Sequence, residues 1–255
     1  MDQFSRTELV LGAAAVAHLK TCRVAIFGVG GVGGYVAEAL VRSGVGAIDL
    51  YDDDRVCLTN LNRQLIATRK TVGQYKVDAM EQRLHDINPN VEIHTYKMFY
   101  MPDTADQVDL TQYDYVVDAV DTVTAKIQLV MACQAAGTPI ISSMGAGNKL
   151  DPTKFQVADI YQTSIDQLAR VMRRELKKRQ VKHLKVVYST EALTPMADAG
   201  NVSDETVSSD VEHFSKRRST PGSVAFVPSV AGLIIGGEVI KDLTKEAMKK
   251  NFRRL

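Results

Sequence analysis

The chain has 255 residues, enough for one large domain or two small ones. Its 31 lysines and arginines nearly balance 30 aspartates and glutamates, which excludes a globally basic nucleic-acid binder and an acidic disordered protein. Three dispersed cysteines without a Cys-x-x-Cys spacing exclude a disulfide framework and a zinc ribbon, and the absence of a signal-peptide pattern at the N-terminus favours the cytoplasm.

Short β-branched segments alternate with helical patterns over the first 145 residues, which predicts parallel strands joined by crossover helices. In chain order the strands are predicted at 23–27, 47–51, 91–96, 115–120 and 139–144, with helices at 31–43, 73–87 and 122–136. The predicted fold class is therefore α/β. It is a Rossmann-like, mostly parallel sheet with helices on both faces, extended by a C-terminal strand-helix portion.

The pattern changes after residue 155, where alternation predicts further strands at 155–161 and 184–189. Between them, residues 164–167 have the form of a capping box that starts an amphipathic helix. The apolar face of that helix is predicted to carry Ile165, Leu168, Met172 and Leu176. Residues 191–220 are rich in Ser, Thr, Asp and Gly and are predicted to form a mobile loop, either a functional excursion or a disordered insertion.

An uncharged stretch at 219–237 is long enough to raise the question of a membrane span. Pro228, several glycines and several serines interrupt it, so we interpret it as a final strand at 223–227 followed by a buried helix from Pro228. Gly232 and Gly236 would then permit close packing of that helix, within the subunit or between subunits. Membrane association is the alternative interpretation.

The segment GVGGVG at 28–33 directly follows the first predicted strand and opens a helix. In that context the backbone N–H groups of a glycine-rich loop bind phosphate. The candidate nucleotide-binding glycines are Gly28, Gly30, Gly31 and Gly33. Asp52 ends the second strand, where an acid typically bonds a ribose hydroxyl. Alternatively the glycines serve only tight packing of helix on strand, and the loop by itself does not distinguish NAD, FAD and ATP.

Polar residues that follow two of the predicted strands indicate ATP. An arginine offers a planar donor fork to phosphate, a lysine adds a point charge, and an aspartate can hold Mg²⁺ through oxygen. Singly these would be solvated surface charges, but the carboxyl ends of parallel strands meet at one edge of the sheet. The predicted triphosphate site contains Asp52, Asp54, Asn60, Arg63, Gln64 and Lys76, with Asp121 as the magnesium ligand.

The combination of GVGGVG, YDDDRVCLTNLNRQ, TVGQYK and VVDAVDT resembles the adenylating domain of the ubiquitin-activating-enzyme-like superfamily, which includes ThiF, MoeB and HesA. Further segments near the two ends of the chain, among them FSRTELVLG and PGSVAFVPSVAGLI, resemble one branch, the ATP-dependent dehydratases of threonylcarbamoyladenosine in tRNA. The resemblance implies a single adenylating domain over 1–255, with a nucleotide-binding part at 1–145 and a part for substrate binding and dimerisation at 146–255. The implied reaction adenylates a carboxylate of the modified adenosine and drives its cyclisation, with release of AMP and pyrophosphate.

Position by position, the resemblance implies that Asp52 binds ribose, that Asn60, Arg63 and Lys76 engage phosphates, and that Asp121 holds Mg²⁺. Arg6 matches an arginine that reaches the active site of a neighbouring subunit, so a homodimer is implied. A monovalent cation at the turn 145–149 and a sulfur-acceptor protein linked to a cysteine desulfurase are left open as further partners.

The sequence departs from the ThiF and MoeB branch in having no paired Cys-x-x-Cys zinc motifs. None of its cysteines stands where a thioester-forming nucleophile is expected, which favours an acyl-adenylate without a thioester. Cys57 lies within the predicted ATP loop, where a redox or sulfur-transfer role is the alternative to an inert thiol. Two rival functions stay open: an activator of a ubiquitin-like sulfur carrier, and a non-catalytic nucleotide-binding scaffold.

Residues 170–185 contain eight basic side chains and one acidic one. A basic segment on an otherwise acidic molecule predicts contact with a phosphate backbone, and with the resemblance it predicts tRNA binding. A solvated helix face is the alternative. The candidate tRNA-binding residues are Arg170, Arg173, Arg174, Lys177, Lys178, Arg179 and Lys182.

Overall fold

A computed structural model describes residues 1–193 and 221–252 and contains a seven-stranded sheet. The spatial order of the strands is β3-β2-β1-β4-β5-β7-β6. The strands are β1 (Arg23–Phe27), β2 (Ala47–Tyr51), β3 (Glu92–Tyr96), β4 (Tyr115–Asp118), β5 (Ile140–Ser143), β6 (Phe155–Asp159) and β7 (Lys185–Ser189). The α-helices of the described residues are α1 (Ser5–Leu11), α2 (Ala13–Leu19), α3 (Gly33–Ser43), α4 (Lys76–Ile87), α5 (Val123–Ala136), α6 (Gln167–Lys178) and α7 (Phe226–Phe252).

The five strands predicted in the first half are parallel to one another, as expected. Phe27 at the end of β1 pairs in register with Tyr51 on one side and Asp118 on the other. The ends of β1, β2 and β4 are therefore level. The strands β2 and β4 lie on opposite sides of β1, so the direction in which strands are added to the sheet reverses here. This is the switch point at which open α/β sheets bind ligands. At the other side of the sheet, β7 continues the parallel order and β6 closes the edge antiparallel to it.

The C-terminal helix packs on α3 through its glycines. A Cβ atom on Gly232 would lie 2.4 Å from the carbonyl oxygen of Val32, and one on Gly236 would lie 2.7 Å from Cβ of Ala39. Only hydrogen fits at either position, so the predicted close packing is confirmed, and it occurs within the subunit. Among the described residues, no helix has the length and apolar character needed to cross a membrane.

The strand predicted at 223–227 is wrong, because α7 already begins at Phe226. Its buried stripe, Val227, Ala231, Ile235 and Val239, has the four-residue spacing of a helix. Val227 thus belongs to the helical face, and Pro228 lies in the first turn, as expected. Of the loop predicted at 191–220, residues 194–220 lie outside the described part of the chain.

The predicted start of α6 also needs correction. Asp166, not Ser164, caps the helix, and its carboxylate accepts a hydrogen bond from the backbone N–H of Ala169 at 2.8 Å. Ile165 does not join the apolar face: it is 62% exposed and its backbone is left-handed, with φ of 60°. We attribute the capping by Asp166 also to its burial beside Lys149, whose ammonium nitrogen lies 3.8 Å from the Asp166 carboxylate. The rest of the predicted face is found, with Met172 and Leu176 buried and Leu168 packed against them.

Two other helices begin later than predicted, α3 at Gly33 and α4 at Lys76. The residues just before each helix form turns. The turn residues before α3 line the cavity described below. The strand predicted at 115–120 ends at Asp118, which leaves Asp121 in the loop that leads to α5.

Candidate active site

A cavity of about 570 Å³ opens at the carboxyl ends of β1, β2 and β4. It gathers most of the residues that the sequence predicted for the nucleotide site. Gly33 and Arg6 do not line it. The predicted residues in its wall are Gly28, Gly30, Gly31, Asp52, Asp54, Asn60, Arg63, Gln64, Lys76 and Asp121.

The glycines of the loop between β1 and α3 divide into two kinds. Gly28 has a φ of 91°, and a Cβ atom there would lie 2.6 Å from the carbonyl oxygen of Ala119. At Gly33 the Cβ would lie 1.8 Å from the carbonyl oxygen of Gly28. These two positions serve packing. Gly30 has open space instead, with its nearest potential neighbour, Gln64, at 4.0 Å, so the backbone there is accessible from the cavity.

Asp52 ties the glycine loop to the segment that follows β2. Its carboxylate accepts hydrogen bonds from the backbone N–H of Val29 at 2.7 Å and of Asp54 at 2.9 Å. Burial raises the pKa of Asp52 above its ordinary value, while the Lys76 ammonium, 3.7 Å from the carboxylate, and the two N–H donors oppose the rise. The carboxylate therefore sets the geometry of the loop in addition to lining the cavity.

Two cationic side chains face the cavity from different depths. Lys76 opens α4 and is buried, and its ammonium nitrogen lies 2.6 Å from a carboxylate oxygen of Asp54. Arg63 is half-buried and donates to the carbonyl oxygen of Thr59 at 3.1 Å and to the side-chain oxygen of Asn62 at 2.9 Å. Fixed donors aimed at one space stabilise negative charge that develops there.

The carboxylate of Asp121 is exposed in the part of the cavity wall that follows β4, and it accepts a hydrogen bond from the Thr122 hydroxyl at 3.2 Å. Mg²⁺ is usually held by one or two carboxylates together with substrate phosphates. An exposed carboxylate in a cavity that cationic side chains also line fits this mode of Mg²⁺ binding. The carboxylates of Asp52, Asp53 and Asp54 also cluster, but Lys76 lies against two of them.

Apolar residues that the sequence analysis missed form one end of the cavity. Phe27 stacks on Tyr51 with ring centroids 4.3 Å apart, and Tyr100 meets the Phe27 ring edge-on at 4.9 Å. Met98 and Phe99 complete this wall. The signal that could have found them is position, because each lies at or just after the end of a predicted strand.

A second missed group reaches the cavity from the far end of the chain. Gly222 exchanges hydrogen bonds with Asn148, donating to its side-chain oxygen at 2.6 Å and accepting from its backbone N–H at 2.8 Å. Asn62 donates to the carbonyl oxygen of Ser223 at 2.9 Å. These contacts hold residues 221–223 in the cavity wall. Their sequence separation of more than 70 residues leaves no local signal.

The cysteines do not line the described cavity. Cys22 and Cys133 are buried, and burial raises the pKa of their thiols to about 11 and about 12, respectively. Cys57 is exposed, with its sulfur 3.1 Å from the hydroxyl oxygen of Thr59.

The predicted basic segment is divided between two faces. Lys185 lies in β7 and pairs with Glu238 at 2.7 Å and Asp242 at 2.9 Å of α7, so its charge does not belong to the α6 surface. Arg173 is half-buried and donates to the carbonyl oxygen of Thr163 at 2.9 Å.

The remaining basic side chains of the segment are exposed. Glu175 lies among three of them, and hydrogen bonds from Lys178 and Arg179 lower its pKa to about 2. The exposed set is Arg170, Arg174, Lys177, Lys178, Arg179 and Lys182.

Comparison with known proteins covers almost the whole chain. The ThiF family profile matches residues 4–255. The tRNA threonylcarbamoyladenosine dehydratase of Bacillus subtilis is 49% identical over 254 residues, which are 99% of each chain. The crystal structure of Escherichia coli tRNA N6-threonylcarbamoyladenosine dehydratase in complex with ATP superimposes with a TM-score of 0.84 at 32% identity, covering 97% of this chain and 96% of that one. By contrast, an adenylyltransferase and sulfurtransferase of Culex quinquefasciatus is 39% identical over 132 residues, 52% of this chain and 30% of its own.

Proposed function

The chain belongs to the ThiF family, and from that premise we propose that it is an ATP-dependent tRNA threonylcarbamoyladenosine dehydratase. The observation that carries the proposal is the end-to-end similarity to a dehydratase of that name, 99% of both chains at 49% identity. Solved structures of the Escherichia coli dehydratase with ATP and with AMP support ATP as the co-substrate. Activation of a sulfur carrier is not favoured, because the sulfurtransferase similarity is limited to about half of this chain.

The proposed reaction has two steps. A carboxylate oxygen of the threonylcarbamoyl group attacks the α-phosphorus of ATP, and the bond to pyrophosphate breaks, which leaves an acyl-adenylate. A nucleophilic atom of the same modification then attacks the acyl carbon, a ring closes and AMP leaves with the carboxylate oxygen. The net change in the nucleoside is the loss of one water.

Charge stabilisation is the main task of the protein in the first step. Lys76 and Arg63 are the donors proposed to engage the phosphates, and the accessible backbone at Gly30 adds N–H groups. Asp52 is proposed to bind the ribose through the carboxylate that already fixes the loop. Asn60 is held in the same wall, where its side-chain oxygen accepts from the backbone N–H of Cys57 at 3.2 Å.

Asp121 is the residue proposed to hold Mg²⁺. When bound there with ATP, the ion supplies positive charge at the phosphates and orients them for in-line displacement. The exposure of the carboxylate, in a cavity that Lys76 and Arg63 also line, supports this assignment.

The second step needs no nucleophile from the protein. The attacking atom and the acyl-adenylate belong to one modified nucleoside, so proximity drives the closure. The position of Cys57 outside the described cavity wall supports an intramolecular attack without a thioester.

We also propose a homodimer in which Arg6 enters the cavity of the partner. Helix α1, which carries Arg6, buries none of its own residues. It exposes 86% of Leu9 and 74% of Val10 beside the arginine. An apolar helix face of this kind is typical of a surface that a second copy covers.

Binding of tRNA is proposed at the exposed basic side chains of α6 and of the residues that directly follow it, up to Lys182. Lys177 and Lys182 point to solvent, while three of the other cations share Glu175 as a counter-ion. A phosphate backbone would be attracted to the surplus positive charge of this surface. The proposed compartment is the cytoplasm, where tRNA and ATP are both present.

The experiment that tests the function is substrate-dependent AMP release. The protein is incubated with ATP, Mg²⁺ and tRNA that carries threonylcarbamoyladenosine, and AMP is quantified. The proposal predicts AMP release in proportion to modified tRNA and none with a ubiquitin-like carrier protein. AMP release with the carrier alone would favour the sulfur-carrier activator, and ATP binding without AMP release from either would favour a scaffold.

A further inference from the structure

Two fully buried charged residues lie directly behind the Asp121 wall of the cavity. Asp118 ends β4 and Lys126 is on α5, and their side chains are 0% and 1% exposed. The ammonium nitrogen of Lys126 is 3.1 Å and 3.2 Å from the two carboxylate oxygens of Asp118. Neither side chain reaches the cavity, so no part of the proposed chemistry uses them directly.

The hydrogen bonds of this pair join two segments of the cavity wall. A carboxylate oxygen of Asp118 accepts from the backbone N–H of Val120 at 3.3 Å, just before Asp121. Lys126 donates to the carbonyl oxygen of Ser143 at 2.7 Å, at the point where β5 leads into residues 144–147. The hydroxyl of Ser142 also donates to Asp118. Val120, Asp121, Ala146 and Gly147 all line the cavity.

Stability alone does not explain a pair of buried charges at such a place. Taking two ions out of water is costly, and well-packed apolar residues often replace a buried ion pair without loss of stability. Charge and directional hydrogen bonds provide what apolar side chains cannot, a fixed spacing between two loops.

We propose that Lys126 and Asp118 are positioning residues for metal-bound ATP: they fix the loop that carries Asp121 against residues 144–147. The inference rests on the proposed function only in taking Asp121 as the Mg²⁺ ligand. The inference predicts that Mg²⁺ strengthens ATP binding less in variants that lack this pair than in the wild-type protein. Partners behind a metal ligand typically contribute about 10- to 100-fold to metal affinity or activity.

The test measures the dissociation constant of ATP by calorimetry, with EDTA and with saturating Mg²⁺, and takes the EDTA value divided by the Mg²⁺ value as the metal coupling. In Lys126→Met the ratio is expected to fall about 10- to 100-fold, while the affinity in EDTA stays at the wild-type value. Lys126→Arg keeps the cation and is expected to retain most of the coupling. The double variant Asp118→Asn, Lys126→Met removes both buried charges, so it folds even if Lys126→Met does not, and its coupling is expected to stay low.

Arg23→Met is the matched control. It also removes the cation from a buried carboxylate, since Arg23 donates to Asp49 at 2.9 Å and 2.8 Å. Arg23 begins β1, at the opposite end of the sheet from the cavity, so this variant should lose stability and keep the wild-type coupling ratio. A double variant that folds with the wild-type melting temperature and the wild-type ratio would overturn the inference. Failure of the proposed function would be seen separately, as an absence of tRNA-dependent AMP release by the wild-type protein.

Discussion

Gly33 and Gly34 are neighbours at the start of α3, but a methyl group added to each would meet a different environment. At Gly33 the new Cβ would lie 1.8 Å from the carbonyl oxygen of Gly28, well inside the 3.0 Å that real Cβ atoms respect. The glycine loop would have to move by more than 1 Å. At Gly34 the nearest atom, Cβ of Leu65, is 3.9 Å away, which is an ordinary contact.

We therefore expect opposite outcomes from two adjacent Gly→Ala substitutions. Gly33→Ala should lower the free energy of unfolding by about 1–3 kcal/mol through overpacking. A displacement of about 1 Å in the phosphate-binding loop should also reduce the rate of AMP formation about 100-fold. Gly34→Ala removes a glycine from a helix and should stabilise the protein by up to about 1 kcal/mol, which for a chain of this size raises Tm by about 2–4 °C.

The assay is thermal unfolding together with ATP affinity and AMP formation for both variants. Gly34→Ala serves as the control, because it makes the same chemical change one residue away. Wild-type ATP affinity and turnover in a folded Gly33→Ala protein would refute the assignment of this loop to phosphate binding. Equal loss of activity in both variants would refute the packing argument that separates them.

Three further outcomes are expected. Burial raises the pKa of Asp52, so the carboxylate proposed to bind ribose should become protonated at a pH above the ordinary aspartate value of 3.8. ATP affinity should therefore already decline before the pH falls to that value, and Asp52→Asn should bind ATP weakly without that decline. Lys177→Gln should reduce the slope of log tRNA affinity against log salt by about 0.7–0.9 if it removes one phosphate contact, whereas Lys185→Gln, whose charge is paired with α7, should leave the slope unchanged. Mixing Arg6→Ala with Arg63→Ala should restore part of the turnover through hybrid dimers, and no recovery in dimers shown to be mixed would contradict a role for Arg6 across the subunits.

The predictable part of the fold is the part that local patterns specify. Five β-branched segments bounded by glycine or polar turns predicted the parallel strands. The strands β1, β2, β4 and β5 are buried along most of their length, as in parallel sheets covered on both faces, whereas the edge strand β3 is more exposed. The polar part of the candidate site followed from them, since the segment from Asp52 to Lys76 follows β2 and Asp121 follows β4, and parallel strand ends meet at one edge. That part could be assembled without any knowledge of long-range contacts, whereas residues 221–223 could not.

The errors and omissions arise where a tertiary contact decides. Val227 looks like a strand residue in isolation, but it continues a helical stripe that packs on α3. Asp166 is the cap of α6 partly because Lys149, distant in sequence, is buried beside it. Lys126 lies in the first turn of α5, eight residues after Asp118. The significance of this pair nevertheless depends on Ser143 from another strand. Local sequence carries no record of that partner.

The most direct test of the proposed function is the mass of the nucleoside itself. Modified tRNA is incubated with the protein, ATP and Mg²⁺, then digested to nucleosides and analysed by mass spectrometry. The account predicts that threonylcarbamoyladenosine is converted to a product lighter by one water molecule, that conversion requires ATP, and that Lys76→Ala abolishes it. An unchanged nucleoside mass from wild-type protein that binds ATP would contradict the dehydratase assignment.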